Sequence, residues 1–145
     1  MIDKNKMQIE ILKDLLSPRS SCRLVNISDD EVAITDGFKV IIFQADELYI
    51  DIGLIPEMPF DFSDARKDHP AVFETGITKK DDRGRTITKL QSADGEVVSY
   101  VQEKYTKLFS DCLLYTDGGE GFVYAKDVMG NLVGLFPPMR VKEKF

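Results

Sequence analysis

The chain contains no tryptophan, one histidine, two cysteines and six prolines in 145 residues, and each scarcity excludes something. Cys22 and Cys112 are 90 positions apart with no Cys-x-x-Cys spacing. Neither a disulfide framework nor a zinc site is indicated, and both read as buried free thiols. His69 lies in Asp68-His69-Pro70 without a Gly-x-Ser-x-Gly or comparable nucleophile motif, so it reads as a solvated loop histidine. No Gly-x-x-x-x-Gly-Lys-Ser/Thr phosphate loop occurs. Gly118-Gly119-Glu120-Gly121 follows a strand without opening a helix, which fits a turn better than a dinucleotide site. Asp61, Asp64 and Asp68 lack the Asp-x-Asp-x-Asp-Gly order and terminal Glu of a calcium loop, and read as surface charge. A metal-dependent hydrolase would need Asp61 and Asp64 to converge in a cleft. Long apolar runs are also missing: Asp46, Glu47 and Asp51 interrupt the region from Val40 to Ile55, well short of the roughly 18 residues that would span a bilayer. The start, Met1 to Lys6, is polar and lacks the features of a signal peptide. These absences point to a cytoplasmic, non-enzymatic binding protein with no membrane segment, no metal and no cofactor.

Charge is what the chain has in quantity. The net charge is −6 and unevenly placed. Between Asp46 and Glu74 there are eight acids against two bases, whereas the remainder holds seventeen of each. An acidic total argues against generic nucleic-acid binding but leaves room for a local basic face. The acidic segment reads first as a solvated, solubilising loop region.

Length and an apolar content of 43% suit one domain over residues 1–145 with a sizeable core. A helix is expected from Asp3 to Leu16, with Met7, Ile11 and Leu15 on one stripe, Ile9, Leu12 and Leu16 beside it, Asp3 as cap and Pro18 as stop. Strands follow over Cys22 to Ile27, Glu31 to Thr35 and Phe38 to Gln44, with Ser28-Asp29-Asp30 and a two-residue Asp36-Gly37 turn between them. Another short strand is expected from Leu48 to Ile52, after which Pro56, Pro59 and Pro70 mark a loop. Arg85 to Gln91 reads as a strand ending in the Ser92-Ala93-Asp94-Gly95 turn. Val97 to Ser110 has helical spacing, although β-branched Val97 and Val98 also suit a strand. Strands are expected over Cys112 to Thr116, Phe122 to Lys126 and Leu132 to Phe136. The pattern is α+β: two helices packed on antiparallel sheet, with a helix-βββ unit occurring twice.

Two fragments, Thr35-Asp36-Gly37-Phe38-Lys39-Val40 and Leu135-Phe136-Pro137-Pro138-Met139-Arg140-Val141, resemble bacterial DNA sliding clamps, which carry a Thr-Asp-Gly-His-Arg-Leu-type hairpin and end in a Met-Pro-Met-Arg-Leu-type strand. Phe38 stands where that motif has His, Lys39 replaces Arg, and Pro137 is an addition. The resemblance extends to a single clamp domain and implies a clamp-like accessory protein engaging DNA or a replication protein, with homo-oligomers as an option. It also implies phosphate contacts from the helix lysines Lys6, Lys13, Lys104 and Lys107. Pro138, Met139, Arg140 and Val141 would line a groove for short apolar peptides. The other basic group, Lys79, Lys80, Arg83, Arg85 and Lys89, surrounds an Asp81-Asp82-Arg83-Gly84 turn and reads as an exposed hairpin tip rather than a nucleic-acid site. The competing expectation is a small acidic interaction or inhibitor protein of mobile-element type. Its residues 46–74 would dock a basic protein partner or mimic DNA charge.

Overall fold

The computed structural model describes residues 3–15, 17 and 20–145; Leu16 and the stop at Pro18 lie outside the described residues. The chain divides into two compact units, residues 3–64 and residues 65–145.

In the 3–64 unit, helix α1 (Lys4–Leu15) starts at Asp3. The Asp3 carboxylate accepts from the Lys6 amide at 3.0 Å, using one of the donors a helix start leaves without an intrahelical partner. Met7, Gln8 and Ile11 form the buried face, while Ile9 and Leu12 are 54% and 46% exposed. The two described members of the second apolar stripe are therefore not core. Its place is taken by Gln8, whose amide donates to the Glu47 carbonyl at 2.8 Å and accepts from the Tyr49 amide at 2.7 Å. A buried amide is tolerated because donor and acceptor are both used.

Strands β1 (Arg23–Asn26), β2 (Glu31–Thr35) and β3 (Val40–Gln44) form an antiparallel meander. Leu24 on the outer edge of β1 is bridged by the chain at Pro56 and Met58, through bonds of 2.8 and 2.9 Å. The β2–β3 turn is longer than expected, because Thr35 pairs with Val40 and leaves four residues in the loop. Its side chains explain this. Asp36 accepts from the amides of Phe38 and Lys39 at 3.0 Å, Lys39 Nζ adds a 2.7 Å ion pair to Asp36, and Thr35 Oγ1 donates to the Lys39 carbonyl at 2.8 Å. These bonds compete with ladder bonds and keep Phe38 and Lys39 out of β3. Gly37, at φ 96°, takes the left-handed position. The expected strand from Leu48 to Ile52 is absent among the described residues; 3-10 turns Ala45–Glu47 and Ile52–Leu54 flank the segment instead. Glu47 accepts from the Gln44 amide at 2.9 Å and Asp51 from the Gly53 amide at 2.9 Å, local partners that replace a ladder.

In the 65–145 unit the antiparallel strand order is β9-β8-β7-β4-β5-β6, built from β4 (Ala71–Lys80), β5 (Thr86–Ser92), β6 (Val98–Gln102), β7 (Leu113–Tyr115), β8 (Val123–Lys126) and β9 (Leu132–Phe136). Strand β4 falls where no strand is expected from the residues. Of its ten residues only Val72 is buried, so the apolar alternation that marks a strand is missing. The expected helix over Val97 to Ser110 is shorter: β6 pairs with β5 from Val98 to Gln102, and α2 covers only Glu103–Leu108. Tertiary pairing prevails there over helical spacing, in line with the β-branched valines. Rings of Tyr105 and Phe109 lie 5.3 and 5.7 Å from that of Phe136, forming the centre of this unit's core. A helix followed by three strands thus occurs twice, as α1-β1-β2-β3 and α2-β7-β8-β9.

Two hairpins share one turn design. Asp81 accepts from the Arg83 and Arg85 amides at 3.0 and 2.9 Å, and Asp127 accepts from the Met129 and Asn131 amides at 2.9 Å. For Asp127 the Asn131 amide is the main cause of a lowered pKa. For Asp36 and Asp81 desolvation pulls upward but is outweighed, by the Lys39 side chain and by the Arg85 amide respectively. Because each folded pKa is depressed, the stabilisation is present above the unfolded carboxylate pKa and is lost as pH falls through the folded value. Stability measured by urea titration is expected to be flat near neutrality and to decline once pH drops into and below the usual carboxylate range.

Candidate nucleic-acid interface

Within the 65–145 unit, the β4–β5 hairpin and the segment after β9 enclose an open cleft of about 530 Å³. Its lining includes six cations, Lys79, Lys80, Arg83, Arg85, Arg140 and Lys142, against three acids, Asp81, Asp82 and Glu143. The local structure that presents them follows from the turn. Asp81 ties down the chain reversal, and its second oxygen takes the Arg85 Nε at 2.6 Å. Gly84 sits at φ 75°, a conformation that costs an L-residue roughly 1–2 kcal/mol. Gly84→Ala is expected to destabilise by about that amount in a urea titration, and to weaken any ligand that depends on Arg83 and Arg85.

The other wall is anchored through Tyr100. Its carbonyl accepts from the Met139 amide at 2.7 Å, and its hydroxyl donates to the Phe145 carbonyl at 2.9 Å while accepting from the Phe145 amide at 3.1 Å. The two rings meet at 4.9 Å. Cross-wall pairs are long: Lys142 to Asp82 at 3.5 Å and Lys79 to Glu143 at 3.9 Å, all exposed. Arg140 reaches Glu120 at 2.9 Å, again with both side chains exposed. Exposed pairs of this kind contribute little and exchange readily for a better anion. Among the described residues, Lys80 and Arg83 have no ion pair. The setting is also the less acidic part of the chain: residues 3–64 hold six bases and thirteen acids, residues 65–145 thirteen bases and twelve acids.

The structure distributes the sequence's candidates unevenly. Arg140 and Val141 line the cleft. Pro138 and Met139 are half-buried in the irregular chain after β9, where the Tyr100 bond holds them. Lys6 and Lys13 are exposed on α1. On α2, Lys104 lies 5.0 Å from the Tyr105 ring centroid, and Lys107 pairs with Glu103 at 2.7 Å, which raises its pKa. None of these four lysines lines the cleft. The basic group from Lys79 to Arg85 is indeed at a hairpin end, but it forms one wall of a cleft. Lys142 and Phe145 were not singled out in the sequence; the Lys142-Glu143-Lys144 charge run was their only signal.

The acids of the 46–74 segment include several with local structural work: Glu47 and Asp51 in the 3-10 turns, Asp61 accepting from the Ser63 amide at 2.9 Å, and Glu57 accepting from Asn26 at 3.0 Å. His69 differs from its expected solvated state. Its side chain is 2% exposed, stacks on Tyr124 at 4.8 Å and meets Asp117 at 3.0 Å. Both cysteines are free. Cys22 is buried, and desolvation followed by its hydrogen bond to Asp14 pushes its thiol up to about 12. The thiolate is the reactive form, so Cys22 is expected to be alkylated by iodoacetamide near pH 8 far more slowly than a free peptide thiol. Mass spectrometry of the folded protein over a time course provides the check.

No protein-family model, curated protein or solved structure matches the chain.

Proposed function

We propose that the protein is a non-enzymatic binding protein that engages the phosphate backbone of DNA through the cleft of the 65–145 unit. The observation that carries this reading is the convergence of Lys79, Lys80, Arg83 and Arg85 with Arg140 and Lys142 around one cavity. Two segments far apart in sequence deliver the same charge to one place in an acidic chain. Arg85 is half-buried against Asp81, but the other five cations are long and exposed, which suits phosphates contacted without base selectivity. The reading keeps the DNA-engaging role implied by the clamp resemblance, and moves the contact surface from the helix lysines to the hairpin and the segment beyond β9. The clamp-like accessory role is the biological form we propose for it.

Binding of a labelled short duplex, followed by fluorescence anisotropy from low to moderate salt, tests the proposal. Neutralisation of four to five phosphates gives a log–log salt slope of about −4. Arg83→Glu combined with Arg140→Glu is expected to weaken binding on the order of tenfold to a hundredfold and to reduce the slope by about two. Lys6→Glu with Lys13→Glu is expected to leave it unchanged. No binding at low salt, or binding indifferent to the Arg83 and Arg140 reversals, would overturn the assignment.

A further inference from the structure

Strand β4 pairs along one edge with β5 through to Lys80, but on its other side β7 pairs only with Ala71 and Val72. Among the described residues no strand covers that second edge from Phe73 to Lys80. Open edges of this length are templates for strand addition. The edge is also apolar in places, with Phe73 and Ile77 53% and 47% exposed. Its charge is polarised, with Glu74 near one end and Lys79-Lys80 at the other.

We infer that this edge is a self-association surface, on which β4 of a second copy of the chain pairs antiparallel about a two-fold axis near Gly76 and Ile77. The charge pattern selects this occupant. Antiparallel self-pairing lays Glu74 of each copy against Lys79 or Lys80 of the other, twice by symmetry, whereas parallel pairing sets lysine against lysine. Lysines that deter indiscriminate pairing at an edge become complementary in this single arrangement. The β4–β5 register jumps between Glu74 and Thr78, where Gly76 has φ 80°. This bulge divides β4 into two short runs, and two-fold pairing matches 73–74 of one copy with 79–80 of the other. An edge this short buries less than a standard interface, so the dimer is weak and concentration-dependent.

Sedimentation velocity over a concentration series, without nucleic acid, decides the matter. The unmodified protein is expected to show a reversible monomer–dimer equilibrium. Glu74→Lys and the pair Lys79→Glu, Lys80→Glu should each weaken it at least tenfold. Combining all three restores opposite charges across the axis and should recover the dimer. Recovery is a result that misfolding does not produce, and circular dichroism of each variant confirms the fold. A strictly monomeric protein would overturn the inference, as would a dimer indifferent to Glu74→Lys or a triple variant that is folded yet monomeric. Lys79 and Lys80 also line the cleft, so DNA binding is scored separately with the Arg83 and Arg140 variants, which leave the edge intact.

Discussion

Phe136→Ala is expected to destabilise the 65–145 unit by about 3–5 kcal/mol, the range for emptying a buried aromatic site. Phe136 is fully buried, and its ring faces Tyr105 and Phe109 from α2 and the residue after it. Truncation removes both ring contacts and leaves a cavity between helix and sheet that the rigid β8–β9 pairing cannot close. Phe136 is also the last residue of β9, immediately before the chain that carries Arg140 and Lys142 into the cleft. The variant should therefore lower the urea midpoint and, under the proposed function, weaken the duplex binding with it. Phe136→Leu, which keeps most of the volume, should cost under about 1.5 kcal/mol and restore most of the affinity. A Phe136→Ala protein with an unchanged midpoint would show that this ring cluster is not the core of the unit.

Gln8→Leu is expected to cost about 2–4 kcal/mol in the 3–64 unit, since it preserves bulk while leaving two backbone groups without their partner. Those groups are the Glu47 carbonyl and the Tyr49 amide, 39 and 41 positions from Gln8 in sequence. Gln8 is 4% exposed, and the chain it holds runs between two 3-10 turns. Gln8→Glu is the informative comparison. It retains an acceptor for the Tyr49 amide but sets a carboxylate against the Glu47 carbonyl, so its penalty should grow as pH rises through the glutamate range. Hydrogen exchange at the Tyr49 amide reports the loss directly. Protection unchanged in Gln8→Leu would remove the bridge from the account.

Local chemistry made much of the fold legible. Asp3 announces α1, Asp36-Gly37 a hairpin, and Asp81-Asp82-Arg83-Gly84 a reversal, because each is decided by side chains within four residues. The same locality limited the detail. The four-residue length of the Asp36 loop depends on Lys39 and Thr35 acting together, which the Asp-Gly pair alone does not convey. Strand β4 carries no signal because beyond Val72 none of its residues is buried, and without a buried face no apolar alternation is required.

An α+β order with two helix-βββ runs, an acidic balance, and a lack of recognisable catalytic or cofactor motifs are legible in the residues alone. Packing between distant segments is what makes Gln8 core while Ile9 and Leu12 are surface, makes Val98 to Gln102 strand, and encloses the His69 side chain against Tyr124. It also decided that the basic hairpin shares a cleft with Arg140 and Lys142. The difference is one of range. Caps and turns are settled by contacts a few residues away, whereas burial, strand pairing and the gathering of like charges depend on residues that meet only when distant parts of the chain pack together.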